Sequence, residues 1–317
     1  TALAATWNKD IARLEGNAIG DEALAYGVDI VLTPGINIMR NPLCGRNFEY
    51  FSEDPYLSGI MGAAMINGIQ DKGIGASLKH FIANNQQTGK LYNDARISQR
   101  AIREIYLKGF EICIKNSDPW TVMGSYKKIG GQYTQANPEL LRTILRNEWN
   151  YNGLIVTDWY KKRDTADQSQ VDEIIAGVKN GRISETTLNE SVKYVLKLIS
   201  KSISNKGWEY NEAPDLAANA ALARRIATEG MVLLKNDRSF LPISQGAKIA
   251  LFGATAYKSI AGGTGSSNVN KAHITDISTG LEKGGYTLSN RLKGLYTKFV
   301  EFQNDLLDKH PESTDWE

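Results

Sequence analysis

Four short apolar runs of this sequence are each followed by side chains that can bind or react with a ligand. The runs are Val28–Leu32, Ile74–Leu78, Trp120–Ser125 and Leu154–Thr157, and the residues that follow them include Arg46, Lys79, His80, Tyr126, Asp158 and Trp159. The stretch from Arg40 to Pro55 is also dense in groups that bind hydroxyls. Because active sites of β/α proteins lie at the carboxyl ends of the strands, the pattern predicts a site there. Polar residues that merely end each strand are the alternative.

Helical segments separate these runs, as a β/α protein requires. Apolar residues recur at helical spacing over residues 8–26, 57–71, 102–115 and 138–147. Ser98 is a good N-cap for the third of these helices, and Pro138 suits the first turn of the fourth. The β-α order therefore repeats at least four times and predicts parallel βαβ units, in a closed barrel or an open sheet.

The length of 317 residues predicts two domains, since a typical domain has roughly 100–200 residues. The first is predicted over residues 1–201, and a polar, turn-rich linker over residues 202–214. The second domain, residues 215–317, is predicted to contain the helical stretch Leu216–Leu234, the strand Lys248–Phe252, the glycine-rich loop Ala261–Asn268 and the amphipathic helix Lys293–Asp308. Two further helices, Val171–Lys179 and Leu188–Ser200, close the first domain.

The composition excludes several classes of protein. Lys and Arg number 37 against 35 Asp and Glu, a net charge of +2 that is too balanced for a dedicated nucleic-acid binder. No uncharged apolar run reaches the ~18 residues of a membrane span. Cys44 and Cys113 form no CxxC pair, and the three histidines lie far apart, so neither a disulfide framework nor a metal site is predicted. The first residues lack a basic region and predict a cut or processed end.

Four motifs and two later segments carry a family resemblance. The motifs are Asn41–Pro55 (NPLCGRNFEYFSEDP), Leu78–Phe81 (LKHF), Val122–Tyr126 (VMGSY) and Val156–Trp159 (VTDW). In this order and spacing they resemble glycoside hydrolase family 3. The segment Glu229–Asp237 resembles the helix that opens the family's second domain, and Gly262–Asn270 resembles that domain's first loop in Bacteroidales-type β-glucosidases. The resemblance covers nearly the whole chain.

The resemblance implies an incomplete (β/α) TIM-like barrel followed by part of an α/β sandwich domain. It also implies a retaining, exo-acting β-glycosidase that hydrolyses terminal non-reducing β-D-glucosyl residues by double displacement. Asp158 matches the family's nucleophile, and neighbouring cations are expected to keep its pKa low. The other residues carried over are Arg46, Lys79 and His80, which clamp the sugar hydroxyls, Met123 and Tyr126, which line the cleavage subsite, and Trp159, which offers a ring face on the leaving-group side.

Each assignment has a structural alternative. Asp158 can be a helix N-cap, and Lys79 and His80 can face solvent. Tyr126 and Trp159 can be core aromatics. Arg46 can be an ion-pair partner, alone or in addition to binding sugar, for one of the nearby acidic residues Glu49, Glu53 and Asp54. The glycine-rich loop can be read as a phosphate cradle, although it lacks both nucleotide-binding patterns.

The sequence also departs from the family's pattern. It reads SYKKIGG over Ser125–Gly131, where the family usually has SYNKxNG, and Gly124 replaces the usual Thr or Ser. Bulky residues, Tyr160 to Lys162, stand after the nucleophile where small residues are common. A barrel strand that carries a subsite aspartate and a segment after Asp158 have no counterpart. No carboxyl group is assigned as acid/base, because Glu282, Glu301, Glu312 and Glu317 lie in no recognisable motif.

These observations leave specificity and activity open. A β-xylosidase or an enzyme of mixed specificity uses the same clamps, and a non-catalytic sugar-binding remnant is the alternative from another class. The predicted partner is a β-linked oligosaccharide or aryl glucoside, without cofactor, metal, nucleic acid or membrane, and with homodimer formation left open. A periplasmic or secreted location is predicted, with the cytoplasm as the alternative.

Overall fold

The computed structural model describes residues 1–159, 168–263, 268, 270–271 and 273–309. It divides the chain into two compact units, Thr1–Val232 and Leu233–Glu317. Each unit has its own sheet. Among the described residues, no helix is long and apolar enough to cross a lipid bilayer.

A parallel sheet is the centre of the first unit. The strands of the unit are β1 (Ile30–Val31), β2 (Gly75–Phe81), β3 (Asp94–Ala95), β4 (Thr121–Gly124), β5 (Lys128–Ile129), β6 (Gln132–Tyr133) and β7 (Leu154–Val156). The main sheet has the order β1-β2-β4-β7, and every neighbouring pair in it is parallel. This order confirms the predicted βαβ units and corresponds to part of a TIM-like barrel. A small sheet of β3, β5 and β6 lies in the connections.

Most helices of this unit lie where the apolar periodicity predicts them, whereas α1 was not predicted and α8 was predicted to be longer. They are α1 (Ala2–Ala5), α2 (Lys9–Ala25), α3 (Pro55–Asp71), α4 (Gln99–Ala101), α5 (Lys108–Ser117), α6 (Gln168–Lys179), α7 (Glu185–Lys201) and α8 (Leu216–Glu229), with the wider π-type segments Ile102–Tyr106 and Glu139–Glu148. The predicted cap at Ser98 is confirmed, because its side chain accepts a hydrogen bond from the Ala101 amide. Ser184 caps α7 in the same way and accepts from the Thr187 amide.

Two glycines let α2 and α3 approach each other closely. A Cβ added to Gly16 would lie 2.2 Å from the Met65 carbonyl oxygen, and one added to Gly68 would lie 2.1 Å from the Arg13 carbonyl oxygen. Neither contact can be relieved by a side-chain movement, since both involve the backbone. The crossing of these helices therefore requires glycine at both positions.

Gly68→Ala is expected to destabilise the first unit. Alanine favours a helix over glycine by about 1 kcal/mol, but forcing the two backbones apart costs about 1–3 kcal/mol or more. Thermal and urea unfolding measure the difference. Gly294→Ala is the matched control, because nothing lies within 4 Å of a Cβ added there. Equal stability of the two variants would contradict the close helix crossing.

The first unit extends past the boundary predicted at residues 202–214. Within that segment the Trp208 Nε1 donates to the Leu24 carbonyl at 2.9 Å, and Ser204 Oγ lies 2.7 Å from Asp29 Oδ2. Helix α8 also belongs to this unit, since Asn219 Nδ2 donates to Glu22 Oε1 at 2.6 Å. The helix ends at Glu229, not at Leu234 as predicted from the apolar pattern.

The described residues of the second unit form a short parallel pair of strands and two α-helices. These elements are β8 (Lys248–Ile249), α9 (Ile277–Lys283), β9 (Thr287–Leu288) and α10 (Asn290–Lys309). Helix α10 contains the predicted amphipathic segment, whose apolar residues Leu295, Phe299 and Phe302 are exposed. Half of the glycine-rich loop, residues 264–267, lies outside the described residues.

Candidate active site

The candidate site begins where β1 and β2 end side by side. The Lys79 amide donates to the Pro34 carbonyl at 3.0 Å, and the Ile36 amide donates to the Lys79 carbonyl at 2.9 Å. This ladder places Lys79 and His80 next to the segment that leads into the loop of residues 40–55. Sequence-distant residues of two predicted motifs thus lie at one edge of the sheet.

Arg46, Glu49 and Lys79 form one ion cluster at this edge. The Arg46 Nε pairs with Glu49 Oε1, and the Lys79 Nζ lies 3.6 Å from Glu49 Oε2. The three side chains are only 20%, 17% and 15% exposed. Of the acidic partners considered for Arg46, the structure therefore selects Glu49. Pairing with Glu49 does not preclude sugar binding, because a guanidinium carries five N–H donors.

His80 is buried in the sheet and does not face solvent, so that alternative is wrong. Its backbone is held by Asn37, whose Oδ1 accepts from the His80 amide and whose Nδ2 donates to the His80 carbonyl, both at 2.9 Å. Burial, followed by the charges of Arg46 and Lys79, lowers the pKa of His80 well below its ordinary value. The imidazole is therefore neutral near pH 7. Its buried Nδ1 has no hydrogen-bond partner among the described residues.

Asp158 follows β7 and lies among the same charged groups. Its Oδ1 accepts from the Trp159 amide at 3.0 Å, and its buried Oδ2 has no hydrogen-bond partner in the described part of the chain. Burial raises the pKa of Asp158 above its ordinary value, although the Trp159 amide, Arg46, the Tyr126 hydroxyl and Lys79 all act to lower it. The expected low pKa is therefore wrong in direction, because the loss of hydration outweighs the neighbouring cations.

The aromatic residues and Met123 occupy different environments. Trp159 is 65% exposed, so it is not a core aromatic. Tyr126 is half-buried, with its hydroxyl near Asp158 and the Lys90 ammonium 5.6 Å from its ring centroid. Met123 lies in β4 opposite Val156 of β7 and is 4% exposed. Tyr126 thus joins the Asp158 cluster, and contact between Met123 and a sugar stays a prediction. The helix that Asp158 would cap lies outside the described residues.

Several residues of this edge carried no signal in the sequence as parts of a site. Asn37 holds the His80 backbone and was not predicted, and Glu49, which pairs with Arg46 and Lys79, was named only as one of three possible partners of Arg46. Ser125 Oγ donates to the Ile82 carbonyl at 2.7 Å and lies 2.9 Å from Thr134 Oγ1, which joins the ends of β2 and β4. Lys127, one of the departures from the family pattern, is buried against the Gln86 carbonyl, and burial lowers its pKa to about 8.

The cluster combines carboxylates with two cations. No group of three or more His, Cys, Asp and Glu side chains suited to a metal ion occurs among the residues that the structure describes. The cluster offers two cations, a neutral imidazole and a carboxylate, one oxygen of which has no hydrogen-bond partner among the described residues. Such an array can hold hydroxyl groups beside a nucleophile.

Comparison with known proteins agrees with this chemistry. The chain is 39% identical over 321 residues to the thermostable beta-glucosidase B of Acetivibrio thermocellus, a match that covers 97% of this chain and 42% of the relative. It is 36% identical to an exo-alpha-(1->6)-L-arabinopyranosidase of Bifidobacterium longum, over 89% of this chain and 40% of the relative. The chain thus spans about two fifths of the length of these relatives.

A solved structure and a family model extend the comparison. The structure of beta-glucosidase 3B from Thermotoga neapolitana in complex with glucose superposes with a TM-score of 0.89 at 40% identity, and the match covers 96% of this chain and 45% of that one. Residues 1–173 match the model of the glycosyl hydrolase family 3 N-terminal domain. The chain belongs to glycosyl hydrolase family 3.

Proposed function

We propose that this chain carries the nucleophile and the sugar-binding cations of a retaining, exo-acting β-glucosidase. The observation that carries the proposal is the position of Asp158: its carboxylate follows a parallel strand and lies within electrostatic reach of Arg46 and Lys79. The names of the beta-glucosidase relatives support the choice of substrate.

The proposed reaction has two steps. In the first, an Asp158 oxygen attacks the anomeric carbon of a terminal glucosyl residue, and the bond to the leaving-group oxygen breaks as the ester forms. In the second, water attacks the same carbon and releases glucose and the free carboxylate. Arg46, Lys79 and neutral His80 hold the ring hydroxyls during both steps, and their hydrogen bonds strengthen as positive charge develops on the ring.

Hydrolysis of p-nitrophenyl β-D-glucopyranoside, set beside glucose-binding calorimetry, tests the proposal. If the chain is catalytically active, we expect it both to release nitrophenol and to bind glucose. Binding without any release would favour the non-catalytic remnant. If the chain neither binds glucose nor releases nitrophenol, both interpretations are wrong for this chain.

A second specificity is favoured by a specific observation, namely the arabinopyranosidases among the relatives. The same clamps hold a pyranose with or without a sixth carbon, so xylosides remain an alternative. Nitrophenyl β-xyloside and α-L-arabinopyranoside, measured in parallel with the glucoside, decide between these substrates by their kcat/KM values.

Lys79→Ala and His80→Ala are each expected to lower kcat/KM for the glucoside by roughly 10- to 100-fold. The reason is that the hydroxyl contacts they remove are stronger in the transition state than in the bound substrate. Unfolding of each variant is measured alongside, because His80 is buried. Near-parental activity of both folded variants would contradict the assignment of this strand end to the sugar site.

Other features of the enzyme stay predictions from the sequence. The periplasmic or secreted location is one of them, and homodimer formation is left open by the sequence. Fractionation of cells that express the protein and sedimentation of the purified chain measure them.

A further inference from the structure

Glu49 is the carboxylate on which both cations of the candidate site converge. Its Oε1 accepts from the Arg46 Nε, and its Oε2 lies 3.6 Å from the Lys79 Nζ. The single helical turn Asn47–Glu49 brings Arg46 and Glu49, three residues apart, onto one side of the loop. The cluster thus joins the loop after β1 to strand β2.

The surroundings of Glu49 limit where its carboxylate can lie. A Cβ added to Gly35 would lie 3.1 Å from the Tyr50 ring and 3.4 Å from Glu49 Oε2. Gly35 is itself bridged to Lys79 in the parallel ladder. The carboxylate therefore rests against the seam of β1 and β2, beside the residues it pairs with, and is 17% exposed.

Glu49 is the carboxylate in ion-pair contact with both cations, and Asp158 acts on the same two cations without such a contact being shown. Arg46 and Lys79 are both largely buried and carry like charges that repel each other. A paired carboxylate offsets that repulsion, and removing it would leave uncompensated buried charge. Both Glu49 oxygens are engaged by cations, so Glu49 suits neither the nucleophile nor the proton donor.

We propose that Glu49 is a positioning residue, which holds the Arg46 guanidinium and the Lys79 ammonium in the orientation that receives the sugar hydroxyls. This inference rests on the proposed function, because the cations that Glu49 orients are the ones that the proposed reaction uses. Glu49 acts through them without touching the substrate.

The protonation of Lys79 provides a readout that a purely structural role would not move. Burial is the largest cause that lowers the pKa of Lys79, and Arg46 adds to it, whereas Glu49 and Asp158 act to raise the pKa. Removing the Glu49 charge therefore lowers the pKa of Lys79 further. The ammonium is then lost at a lower pH, and the alkaline limb of the pH–rate profile moves to lower pH.

The experiment uses the full 317-residue chain and 2,4-dinitrophenyl 2-deoxy-2-fluoro-β-D-glucopyranoside as the probe. The rate constant for covalent labelling is followed by mass spectrometry from acid to alkaline pH, with thermal unfolding measured for each variant. Glu49→Gln keeps the size of the side chain and removes its charge. Glu53→Gln is the matched control, an exposed glutamate of the same loop.

We expect Glu49→Gln to label about 10- to 100-fold more slowly, because displaced clamps misplace the sugar, and to lose rate at a lower pH than the parental chain. Glu49→Asp retains the charge but places it one methylene farther from the cations. We expect this variant to label slowly, and the alkaline limb of its pH–rate profile to stay at the parental pH. Glu53→Gln should label like the parental chain.

Three results would overturn the inference. A folded Glu49→Gln variant that labels at the parental rate shows that the cations need no such partner. A slower variant with an unmoved alkaline limb shows a structural role only. If Glu49→Gln does not fold, parental labelling by Glu49→Asp is the overturning result. Failure of the parental chain to label would instead overturn the proposed function itself.

Discussion

Replacing Asp158 with asparagine is expected to abolish cleavage of activated aryl β-glucosides, with a loss of about four or more orders of magnitude in the rate constant of the first, glycosyl-ester-forming step. An amide cannot attack the anomeric carbon to form the glycosyl ester. The fold should survive, because the asparagine Oδ1 can still accept the hydrogen bond that Asp158 accepts from the Trp159 amide. A neutral amide also avoids the cost of burying a charged carboxylate, which is the cause of the raised pKa of Asp158.

Labelling with the 2-fluoroglucoside gives the second half of this test. The parental chain should gain one glycosyl group, located on Asp158 by peptide mass spectrometry, and Asp158→Asn should gain none. Asp118→Asn serves as control, since Asp118 is exposed and its left-handed backbone tolerates asparagine. A label on another carboxylate, or an active Asp158→Asn, would contradict the assignment of the nucleophile.

The sheet and the clustering of the motifs were predictable because local patterns determine them. Short β-branched runs alternate with helical periodicity, and parallel strands necessarily bring their carboxyl ends to one edge. That rule alone places Lys79 of β2 and Asp158 after β7 at the same edge of the sheet, the one formed by the carboxyl ends of the strands. The structure confirms the parallel order on which this argument depends.

The electrostatics of the site could not be read from residue types. Cations near Asp158 suggested a lowered pKa, but the extent of burial, which raises it, is a property of the folded chain. The partner of Arg46 was equally undetermined, since Glu49, Glu53 and Asp54 all lie within eight residues of it. Only the helical turn Asn47–Glu49 selects Glu49.

The end of α8 shows a different limit. The apolar residues Met231 to Leu234 continue the helical pattern, yet the helix stops at Glu229. A Cβ added to Gly230 would lie 2.4 Å from the Ala2 carbonyl oxygen, so α1 contacts the chain closely at this point. A contact between residues more than two hundred positions apart leaves no local signal. Helix ends of this kind require the tertiary structure.

The 317-residue chain is expected to cleave activated aryl glucosides once and to be nearly inactive on cellobiose. A sugar leaving group needs a proton from a carboxyl group held about 5–5.5 Å from the nucleophile, whereas dinitrophenolate leaves without one. Near Asp158, Glu49 is paired with two cations and His80 is neutral. Neither suits the role of acid. General acid catalysis accelerates such a reaction by roughly 10²- to 10⁴-fold. Cellobiose turnover should therefore be slower by at least that factor than in an enzyme that has the acid carboxyl group.

The two glutamates that the structure describes in the second unit give no evident replacement. Glu282 pairs with Lys293 at 2.6 Å, Glu301 is exposed on α10, and Glu312 and Glu317 lie outside the described residues. With dinitrophenyl β-D-glucoside, the first step should release one equivalent of phenol and then stop at the Asp158 ester. Water attacks that ester slowly when no base assists it.

Azide separates a stalled ester from an inert protein. This small anion attacks the anomeric carbon without base assistance, so it should restore steady turnover and yield β-glucosyl azide. Rescue in the parental chain and none in Asp158→Asn would tie the stalled species to this carboxylate. Rapid cellobiose hydrolysis without azide, by a chain whose mass corresponds to residues 1–317, would contradict the prediction. An acid carboxyl group would then lie within these residues or come from a second copy, and its Glu→Gln variant would become the one that azide rescues.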